Sequence, residues 1–550
     1  MVCSRVTLTY LSEEQRRAMT TPPERLFCRD THLASARDAT RTWDILIIGG
    51  GATGLGAAVD AASRGYSVLL LERDDFAKGT SSRSTKLVHG GVRYLKQGNI
   101  SLVNEALRER GRLRENAPHL VRHLSFIVPN YDWWEGPFYG VGLKLYDLLA
   151  GKMGLKPSRW LSKDKTLTKL PNLNPEDLRG GVMYYDGQFD DARLATHLAM
   201  TAHDHQASLV NYCEAVELMK EGDLTRGVVA LDKESGERFE VRAHVIINAT
   251  GVFVDQLRIQ DEPDQEPMIA PSQGVHIVLP GRFLNSDTAI MVPQTDDGRV
   301  LFAIPWYDKL VVGTTDTAVE HPSAEPRPLK EELEFILTHA QEYLEEAPTE
   351  ADVLSCFAGL RPLVSAGKGK RTASLSRDHT IHVSRSGLIT ITGGKWTTYR
   401  KMAEDVINEA IGIGGLEERP CVTMELKLHG WCEPEGDQII DFRSVYGADL
   451  VRVDALLSED PQLADALHER LPYRGAEVVW AARAEMARTV EDVLARRTRA
   501  LLLDAKASIE AAPRVAELMA RELGRDQAWI DEQISAYHEL AEGYLCTISS

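Results

Sequence analysis

The chain has 550 residues, of which 43% are hydrophobic and 26% are charged. This composition is typical of a globular protein and excludes collagen-like, wholly disordered and disulfide-scaffold classes. With 63 Lys and Arg residues against 81 Asp and Glu residues, the formal charge is −18, which argues against general nucleic-acid binding because phosphate backbones require a basic surface.

The seven cysteines are spread along the chain without a Cys-x-x-Cys spacing, so neither a metal site nor a redox motif is indicated. Reduced thiols in a cytosolic compartment are the favoured interpretation. No run of about 18 apolar residues predicts a spanning helix. Residues 1–42 lack the apolar stretch of a secretory signal and carry acids that argue against a mitochondrial presequence. We expect this segment to be a partly flexible extension outside the main fold.

A dinucleotide-binding unit is predicted directly after this extension. Residues 43–48 form a short apolar run that fits a buried parallel strand. An Ala-rich stretch, residues 56–63, predicts a helix, and residues 68–71 predict a second strand. The chain reads Gly-Gly-Gly-Ala-Thr-Gly between the first strand and the helix, which is the G-x-G-x-x-G pattern of a βαβ unit.

The spacing of the glycines has a physical reason. Gly49 permits the tight turn, Gly51 lets the backbone approach a pyrophosphate, and Gly54 allows the helix to pack closely on the strand. The pyrophosphate then lies at the positive N-terminus of the helix. Glu72 ends the second strand and can accept hydrogen bonds from a ribose. This unit alone does not distinguish FAD from NAD.

Two later segments favour FAD. Residues 79–94 are rich in hydroxyls, glycines and cations, which suits close packing along a ribityl chain and a flavin. Residues 244–251 predict a buried strand that ends in Ala-Thr-Gly, and in flavoproteins with two dinucleotide-binding motifs such a strand end returns to the cofactor. Taken alone, the second segment also fits an ordinary strand and turn.

The chain resembles the FAD-dependent, membrane-type glycerol-3-phosphate dehydrogenases. The similarity begins in the loop Ser-Ser-Arg-Ser-Thr-Lys-Leu-Val-His-Gly-Gly-Val-Arg-Tyr-Leu and extends in order over roughly residues 43–540. The matching segments are 81–95, 190–194, 311–316, 359–363, 393–400 and 486–499.

The resemblance implies an α/β fold with a Rossmann-like FAD-binding domain, an interleaved mixed-sheet substrate cap and an α-helical C-terminal domain. We expect the N-terminal extension at 1–42, the discontinuous FAD-binding domain with its cap at 43–415, and the helical domain at 416–550. Alternating apolar patterns at 182–185, 226–231 and 275–279 predict strands of the cap, whereas 477–523 predicts helices.

The motifs and the resemblance together predict which residues bind FAD. They are Gly49, Gly50, Gly51, Thr53, Gly54, Glu72, Arg73, Thr80, Ser81, Ser82, Ser84, Lys86, Leu87, His89, Gly90, Gly91, Ala249, Thr250, Gly251, Gly393, Gly394, Lys395 and Thr397. No metal site is predicted.

The family reaction is the oxidation of sn-glycerol 3-phosphate to dihydroxyacetone phosphate, with hydride transfer to flavin N5 and electrons passed to a membrane quinone. The phosphate dianion requires several cations. The resemblance predicts that the residues contacting the phosphate are Arg93, Tyr94, Arg377 and Lys395.

The C2 alcohol must also lose a proton to a base. We expect His276 to be this base, with His89 as the alternative, because neutral imidazole accepts a proton near pH 7. Arg361 is expected to stabilise the developing alkoxide, an effect worth about 3–4 kcal/mol for one donor.

Three alternatives remain open. A glycerol-3-phosphate oxidase would use the same pocket but pass electrons to O2 and release H2O2. A glycine- or sarcosine-type amine oxidase would need fewer cations. A flavin-bound sensor would have no turnover and would reduce no dye when given glycerol 3-phosphate.

A membrane contact is predicted at residues 131–156, where aromatic and aliphatic residues occur with Lys144, Lys152 and Lys156. Aromatic rings such as those of Trp133, Trp134 and Phe138 favour the headgroup boundary, and lysines can reach lipid phosphates. We expect a cytoplasmic protein bound peripherally to the inner, anionic face of the cytoplasmic membrane. A homodimer is left open, and the same segment could instead pack against its own domain.

Overall fold

The computed structural model describes residues 27–91, 100–132, 135–150, 156–293, 295, 300–365, 379–433 and 441–546. Eighteen strands alternate with helices along this part of the chain. The strands are β1 Thr42–Ile48, β2 Val68–Leu71, β3 Leu87–Val88, β4 Val121–Asn130, β5 Arg159–Ser162, β6 Gly180–Phe189, β7 Ser208–Val210, β8 Cys213–Glu221, β9 Leu224–Asp232, β10 Arg238–Asn248, β11 Ile269–Pro280, β12 Thr288–Val292, β13 Leu301–Trp306, β14 Lys309–Gly313, β15 Thr317–Ala318, β16 Ser355–Val364, β17 His379–Val383 and β18 Ile389–Gly393.

The α-helices connect these strands and form most of the C-terminal region. They are α1 Arg29–Ala36, α2 Ala52–Ser63, α3 Ile100–Asn116, α4 Glu135–Ala150, α5 Lys163–Lys169, α6 Asp191–Asp204, α7 Val254–Asp261, α8 Lys330–Tyr343, α9 Tyr399–Gly414, α10 Leu450–Glu459, α11 Gly475–Ala484, α12 Ala500–Leu503, α13 Ala505–Leu523 and α14 Gln527–Glu542. Among the described residues, no helix is both long enough and apolar enough to cross a bilayer.

The first sheet has the strand order β17-β18-β10-β1-β2-β7, in which β18, β10, β1, β2 and β7 run parallel to one another and β17 pairs antiparallel with β18. Strands β1 and β2 are almost wholly buried, as their continuous apolar runs predict. Since the carboxyl ends of parallel strands meet at one edge, the turns after β1, β2 and β10 lie together there.

The second sheet is mixed and has the order β15-β11-β14-β13-β12-β4-β6-β3, with β16 on β11 and β5 on β6. Its strands come from segments that lie between those of the first sheet, so the expected interleaved α/β architecture is confirmed. The helical C-terminal region is confirmed as well, and its apolar side chains continue the core of the first sheet. The numerical domain boundaries stay a prediction.

One expectation about this architecture is wrong, and a second is wrong for the residues that the structure describes. The pattern at 226–231 was assigned to the cap, but it forms β9, which pairs antiparallel with β8 and β10 in the first sheet. Alternating apolar and polar residues show that one face of a strand is buried, but they do not show to which sheet the strand belongs.

The described part of the N-terminal segment also packs on the main fold. The guanidinium of Arg29 donates to the carbonyl of Asn211 at 2.9 Å and to Asp232 at 2.7 Å, and Phe27 and Leu33 are buried. A segment with few apolar residues can dock in this way when its charged side chains form ion pairs with the main fold. The composition of the segment does not reveal such pairs.

A buried charge network joins the C-terminal region to the first sheet. Arg496 and Arg497 lie at the end of a π-helical turn, Asp492–Arg497, and donate to the carboxylate of Asp75 at 2.5 to 2.9 Å. Burial opposes the charge on Asp75, but the two guanidinium groups hold its pKa well below the usual range. All three side chains are inaccessible to solvent, so each charge depends on the others.

We expect Arg497→Met to lower the free energy of unfolding by about 3–5 kcal/mol, because it leaves a buried carboxylate with one cation fewer. The control is Arg525→Met, which removes an exposed ion pair with Glu234 and should change stability by at most about 1 kcal/mol. Urea unfolding followed by circular dichroism compares the two variants. Equal midpoints would contradict the role assigned to the network.

Candidate functional site

The glycine turn after β1 forms a tight cradle against the end of β10. Gly49 has φ +111°, and a Cβ there would lie 2.6 Å from the carbonyl oxygen of Ala249. A Cβ on Gly54 would overlap the carbonyl oxygen of Gly49. Gly51 precedes helix α2 and has no side chain to cap it, so the positive end of this helix is left for an anion.

The carboxylate of Glu72 lies beside this cradle. It accepts hydrogen bonds from the backbone N–H of Gly50 at 2.6 Å and of Asp74 at 2.8 Å. Burial raises its pKa to about 7. The guanidinium of Arg73 lies 5.1 Å from the ring centroid of Phe253, in the turn that follows β10. The ends of β1, β2 and β10 are thus brought together as the sequence predicted.

The loop that begins at Gly79 extends from the cradle to the second sheet. The hydroxyl of Ser81 accepts the backbone N–H of Ala52 at 2.9 Å, at the start of α2. The hydroxyl of Thr80 donates to the carbonyl of Leu360 in β16 at 2.5 Å. The indole N–H of Trp396 donates to the carbonyl of Ser81 at 2.9 Å.

Not every side chain of this loop faces the cradle. The ammonium of Lys86 and the hydroxyl of Ser84 both bind Asp191, each at 2.7 Å, and Lys86 is fully buried there. Arg499 binds the other oxygen of Asp191 at 2.8 Å and the carbonyl of Ser82 at 3.0 Å. In this structure the side chains of Ser84 and Lys86 hold the loop in place instead of lining an open cofactor site.

The end of the loop meets the late glycine turn. The backbone N–H of His89 donates to the hydroxyl of Thr397 at 3.1 Å. Gly393 and Gly394 have φ values of +81° and +71°, and the hydroxyl of Thr392 donates to the carbonyl of Gly251 at 3.4 Å. The predicted segments around 89, 251 and 393–397 therefore converge.

His276 and Arg361 occupy one face of the second sheet. In the antiparallel pair β11–β16, His276 lies opposite Phe357 and its ring stacks on that phenyl ring at 5.0 Å. The guanidinium of Arg361 crosses over Gly274, where a Cβ would overlap it. Glycine at 274 therefore lets the arginine approach the histidine.

The guanidinium of Arg361 is held in a fixed orientation. It donates to the hydroxyl of Thr314 at 3.1 Å and to the carbonyl of Thr315 at 3.0 Å, and it lies 3.3 Å from the carboxylate of Asp316. About a quarter of the side chain stays accessible. The arrangement provides a preorganised cation at the surface of the sheet.

His276 is buried and bound to the loop from the first sheet. Its Nε2 lies 2.9 Å from the hydroxyl of Thr85, and its Nδ1 has no hydrogen-bond partner among the described residues. Burial, helped by the charges of Lys86 and Arg361, lowers the pKa of His276 to about 3. The ring is therefore neutral near pH 7, as a proton acceptor must be.

Three of the predicted phosphate ligands, Arg93, Tyr94 and Arg377, lie outside the described residues. Lys395 is described and follows the late glycine turn. The structure adds four residues to the site that the sequence did not assign: Thr85, Asp191, Asp316 and Phe357. Three of them, Thr85, Asp191 and Asp316, lie within the segments that match the family, and this position could have marked them as candidates.

The chain matches two protein-family models. Residues 44–400 match the family described as FAD dependent oxidoreductase, and residues 387–530 match the C-terminal domain of alpha-glycerophosphate oxidase. It is 43% identical over 528 residues to the mitochondrial glycerol-3-phosphate dehydrogenase of Homo sapiens, covering 90% of this chain and 72% of the relative.

Solved structures agree with this similarity. The glycerol-3-phosphate dehydrogenase from Bacillus halodurans, complexed with FAD, superposes with a TM-score of 0.76 at 29% identity and covers 94% of this chain and 97% of its own. The FAD-bound L-alpha-glycerophosphate oxidase from Mycoplasma pneumoniae shares the fold with a TM-score of 0.54 at 18% identity, covering 70% of this chain and 98% of its own.

The cofactor is FAD, and the residues present fit it. The cradle would be filled by a Cβ at Gly49 or Gly54, the N-cap residue of α2 is a glycine without a side chain, and Glu72 supplies a carboxylate at the end of β2. These are the features that a pyrophosphate and a ribose require. Gly49, Gly51, Gly54 and Glu72 would hold the dinucleotide part.

We expect Gly51→Val to purify folded but without stoichiometric FAD. Gly51 has extended backbone angles that valine adopts, and an added Cβ would meet only the hydroxyl of Ser81, at 3.1 Å, so the change acts on the ligand. Flavin absorbance per protein after desalting measures the loss, and circular dichroism checks the fold. Gly412→Ala, which adds a Cβ into open space in α9, should keep its flavin. A yellow Gly51→Val protein would contradict the assignment.

Proposed function

The chain belongs to the FAD-dependent glycerol-3-phosphate dehydrogenases, and from this membership we propose that it oxidises sn-glycerol 3-phosphate to dihydroxyacetone phosphate and passes the electrons to a membrane quinone. One observation above all supports the proposal. A neutral buried histidine, His276, and a fixed guanidinium, Arg361, share one face of the second sheet, and the loop from the FAD-binding sheet contacts that histidine through Thr85.

The proposed roles follow from these contacts. FAD, when bound, supplies the acceptor for the hydride from C2. Thr85 fixes the imidazole through Nε2, and the neutral ring takes the proton of the C2 hydroxyl. Arg361, held by Thr314 and Thr315, lowers the free energy of the developing alkoxide. Lys395, with Arg93, Tyr94 and Arg377, is proposed to bind the phosphate.

Anaerobic mixing tests the function and its acceptor. Glycerol 3-phosphate should bleach the flavin absorbance, and a soluble quinone should then restore it faster than oxygen does. Rapid reoxidation by oxygen with stoichiometric H2O2 would favour the oxidase instead. Failure of glycerol 3-phosphate to bleach the flavin would contradict the proposed substrate.

We expect His276→Asn to slow flavin reduction by about 10²–10⁴-fold, because the amide cannot take the proton. Since burial lowers the pKa of His276 to about 3, well below the usual value of a histidine, the parent enzyme should show no inflection from this group between about pH 5 and 8. Stopped-flow reduction across this range measures both effects. An unchanged rate in the variant would move the base role to His89.

Two cation variants should separate binding from chemistry. We expect Lys395→Met to raise KM for glycerol 3-phosphate, because it removes a proposed phosphate ligand. Arg361→Leu should mainly lower kcat, by about 10²–10³-fold, because it removes a charge that acts on the alkoxide. Dye-linked steady-state assays with glycerol as the control substrate measure the difference. Equal turnover of glycerol and its phosphate by the parent would contradict the phosphate pocket.

The exposed side of α4 supports the proposed membrane contact. Leu145 is 42% exposed and Leu148 is 75% exposed, and Trp160 in β5, against which Gly140 of α4 packs, is 50% exposed. We call these three residues the α4 patch. The structure revises the predicted segment, because Leu143 and Tyr146 are buried. Trp133, Trp134, Lys152 and the side chains of Phe138 and Tyr139 lie outside what is described.

We propose that this patch docks peripherally on an anionic membrane, at the inner face of the cytoplasmic membrane. Leu145, Leu148 and Trp160 expose large apolar side chains, which insertion at the headgroup boundary would remove from water. Lys144 precedes Leu145 of the patch, and its ammonium donates to the carbonyl of Ser158 at 2.6 Å, two residues before Trp160. A quinone dissolved in the lipid would then be within reach of a docked enzyme.

We expect Leu145→Ser/Leu148→Ser/Trp160→Ser to keep dye-linked activity and to lose binding to anionic vesicles and quinone reduction, because the apolar contact is removed. Vesicle flotation and paired dye and quinone assays measure this. The control is Leu224→Ser/Val451→Ser, which removes two side chains that are each 41% exposed on other elements. If the triple variant floats like the parent, the membrane contact lies elsewhere.

A further inference from the structure

The segment after α14 brings two cysteines together at the second sheet. The backbone N–H of Cys356 in β16 donates to the carbonyl of Tyr544 at 2.8 Å, and its Sγ lies 3.5 Å from the same oxygen. Cys546, two residues further, packs on the apolar cluster that contains Cys356. Neither cysteine forms a disulfide, and they are 190 positions apart in the chain.

The two thiols differ in environment. Cys356 is 2% exposed, whereas Cys546 is only partly buried. The neighbouring thiol of Cys546, together with burial, raises the pKa of Cys356. The same interaction with Cys356 lowers the pKa of Cys546. Cys546, the more accessible of the two cysteines, is therefore the one that more readily loses its proton to form a thiolate. The protonated thiol of Cys356 lies beside it.

We propose that Cys546 and Cys356 form a peroxide-reactive thiol pair, in which Cys546 is the attacking thiolate and Cys356 the resolving thiol. The sulfur of Cys546 attacks hydrogen peroxide and breaks the O–O bond, which gives a sulfenic acid and, with one proton, water. The sulfur of Cys356 then displaces the hydroxyl of the sulfenic acid, which forms the S–S bond and releases a second water. Two thiols are oxidised by two electrons, and one peroxide is reduced to two waters. An added dithiol reduces the disulfide to the two thiols by exchange and is itself oxidised to a disulfide.

The disulfide would fix a segment that supports the FAD-binding loop. The hydroxyl of Tyr544 donates to Glu325 at 2.6 Å, and Glu325 pairs with Arg83 at 2.5 Å, between Ser82 and Ser84 of that loop. On the other side, Cys356 is followed by Phe357, which stacks on His276. Oxidation would therefore join the segment after α14 covalently to the strand beside the proposed base.

The test uses the FAD-loaded enzyme, reduced, desalted and kept free of glycerol 3-phosphate under nitrogen. It is treated with a small excess of hydrogen peroxide, alkylated and mapped by mass spectrometry. We expect a peptide that links Cys356 to Cys546 and disappears on treatment with dithiothreitol. Cys546 should react about tenfold faster than Cys421 and Cys432, partly buried thiols whose pKa values burial raises. The oxidised enzyme should release FAD at a higher temperature than the reduced one.

Two variants separate the roles of the thiols. In Cys356→Ser, Cys546 should accumulate as a sulfenic acid that dimedone captures, whereas Cys546→Ser should give neither the adduct nor the linked peptide. Both variants should keep dye-linked activity with glycerol 3-phosphate when reduced, which separates this test from that of the proposed function. Absence of the linked peptide in the parent, or reaction of Cys546 no faster than that of Cys432, would overturn the proposal.

Discussion

The site depends on the pairing of buried charges between distant parts of the chain. Asp75 follows β2, and Asp191 begins α6, yet the guanidinium groups that neutralise them, from Arg496, Arg497 and Arg499, belong to the C-terminal region. A buried carboxylate without a cation is strongly unfavourable. Arg499 also donates to the carbonyl of Ser82, so the C-terminal region contacts the loop from Gly79 to Gly91 directly and stabilises its conformation.

The loop from Gly79 to Gly91 joins the two halves of the site. Its first hydroxyls contact the helix after the glycine turn and the strand β16, and Thr85 reaches His276. The first sheet can therefore hold a cofactor while the second sheet carries the proposed base and cation. Because this one loop is hydrogen-bonded to both sheets, it sets the position of the proposed base relative to the glycine turn.

Local motifs predicted the cofactor half of the site, and tertiary contacts decided the rest. The strand, glycine turn, helix and Glu72 could be identified because their chemistry is contained in one short segment. Lys86 has the same motif support, but its partner Asp191 is more than a hundred residues away, so its structural role was not visible. The same holds for β9, whose sheet depends on pairing, and for Cys356 and Cys546, whose spacing shows no redox motif.

Helix α4 connects the proposed membrane surface to the cofactor loop. Its inner face carries Tyr146, whose hydroxyl accepts the backbone N–H of Gly90 at 2.8 Å and donates to Asp186 at 2.8 Å, and Asp186 in turn pairs with Arg110. Its outer face carries Leu145 and Leu148. A Cβ at Gly90 would overlap the Tyr146 hydroxyl, so the helix packs closely against the loop. If α4 docks on a membrane as proposed, an acceptor that approaches along this helix would meet the loop that ends at Gly91.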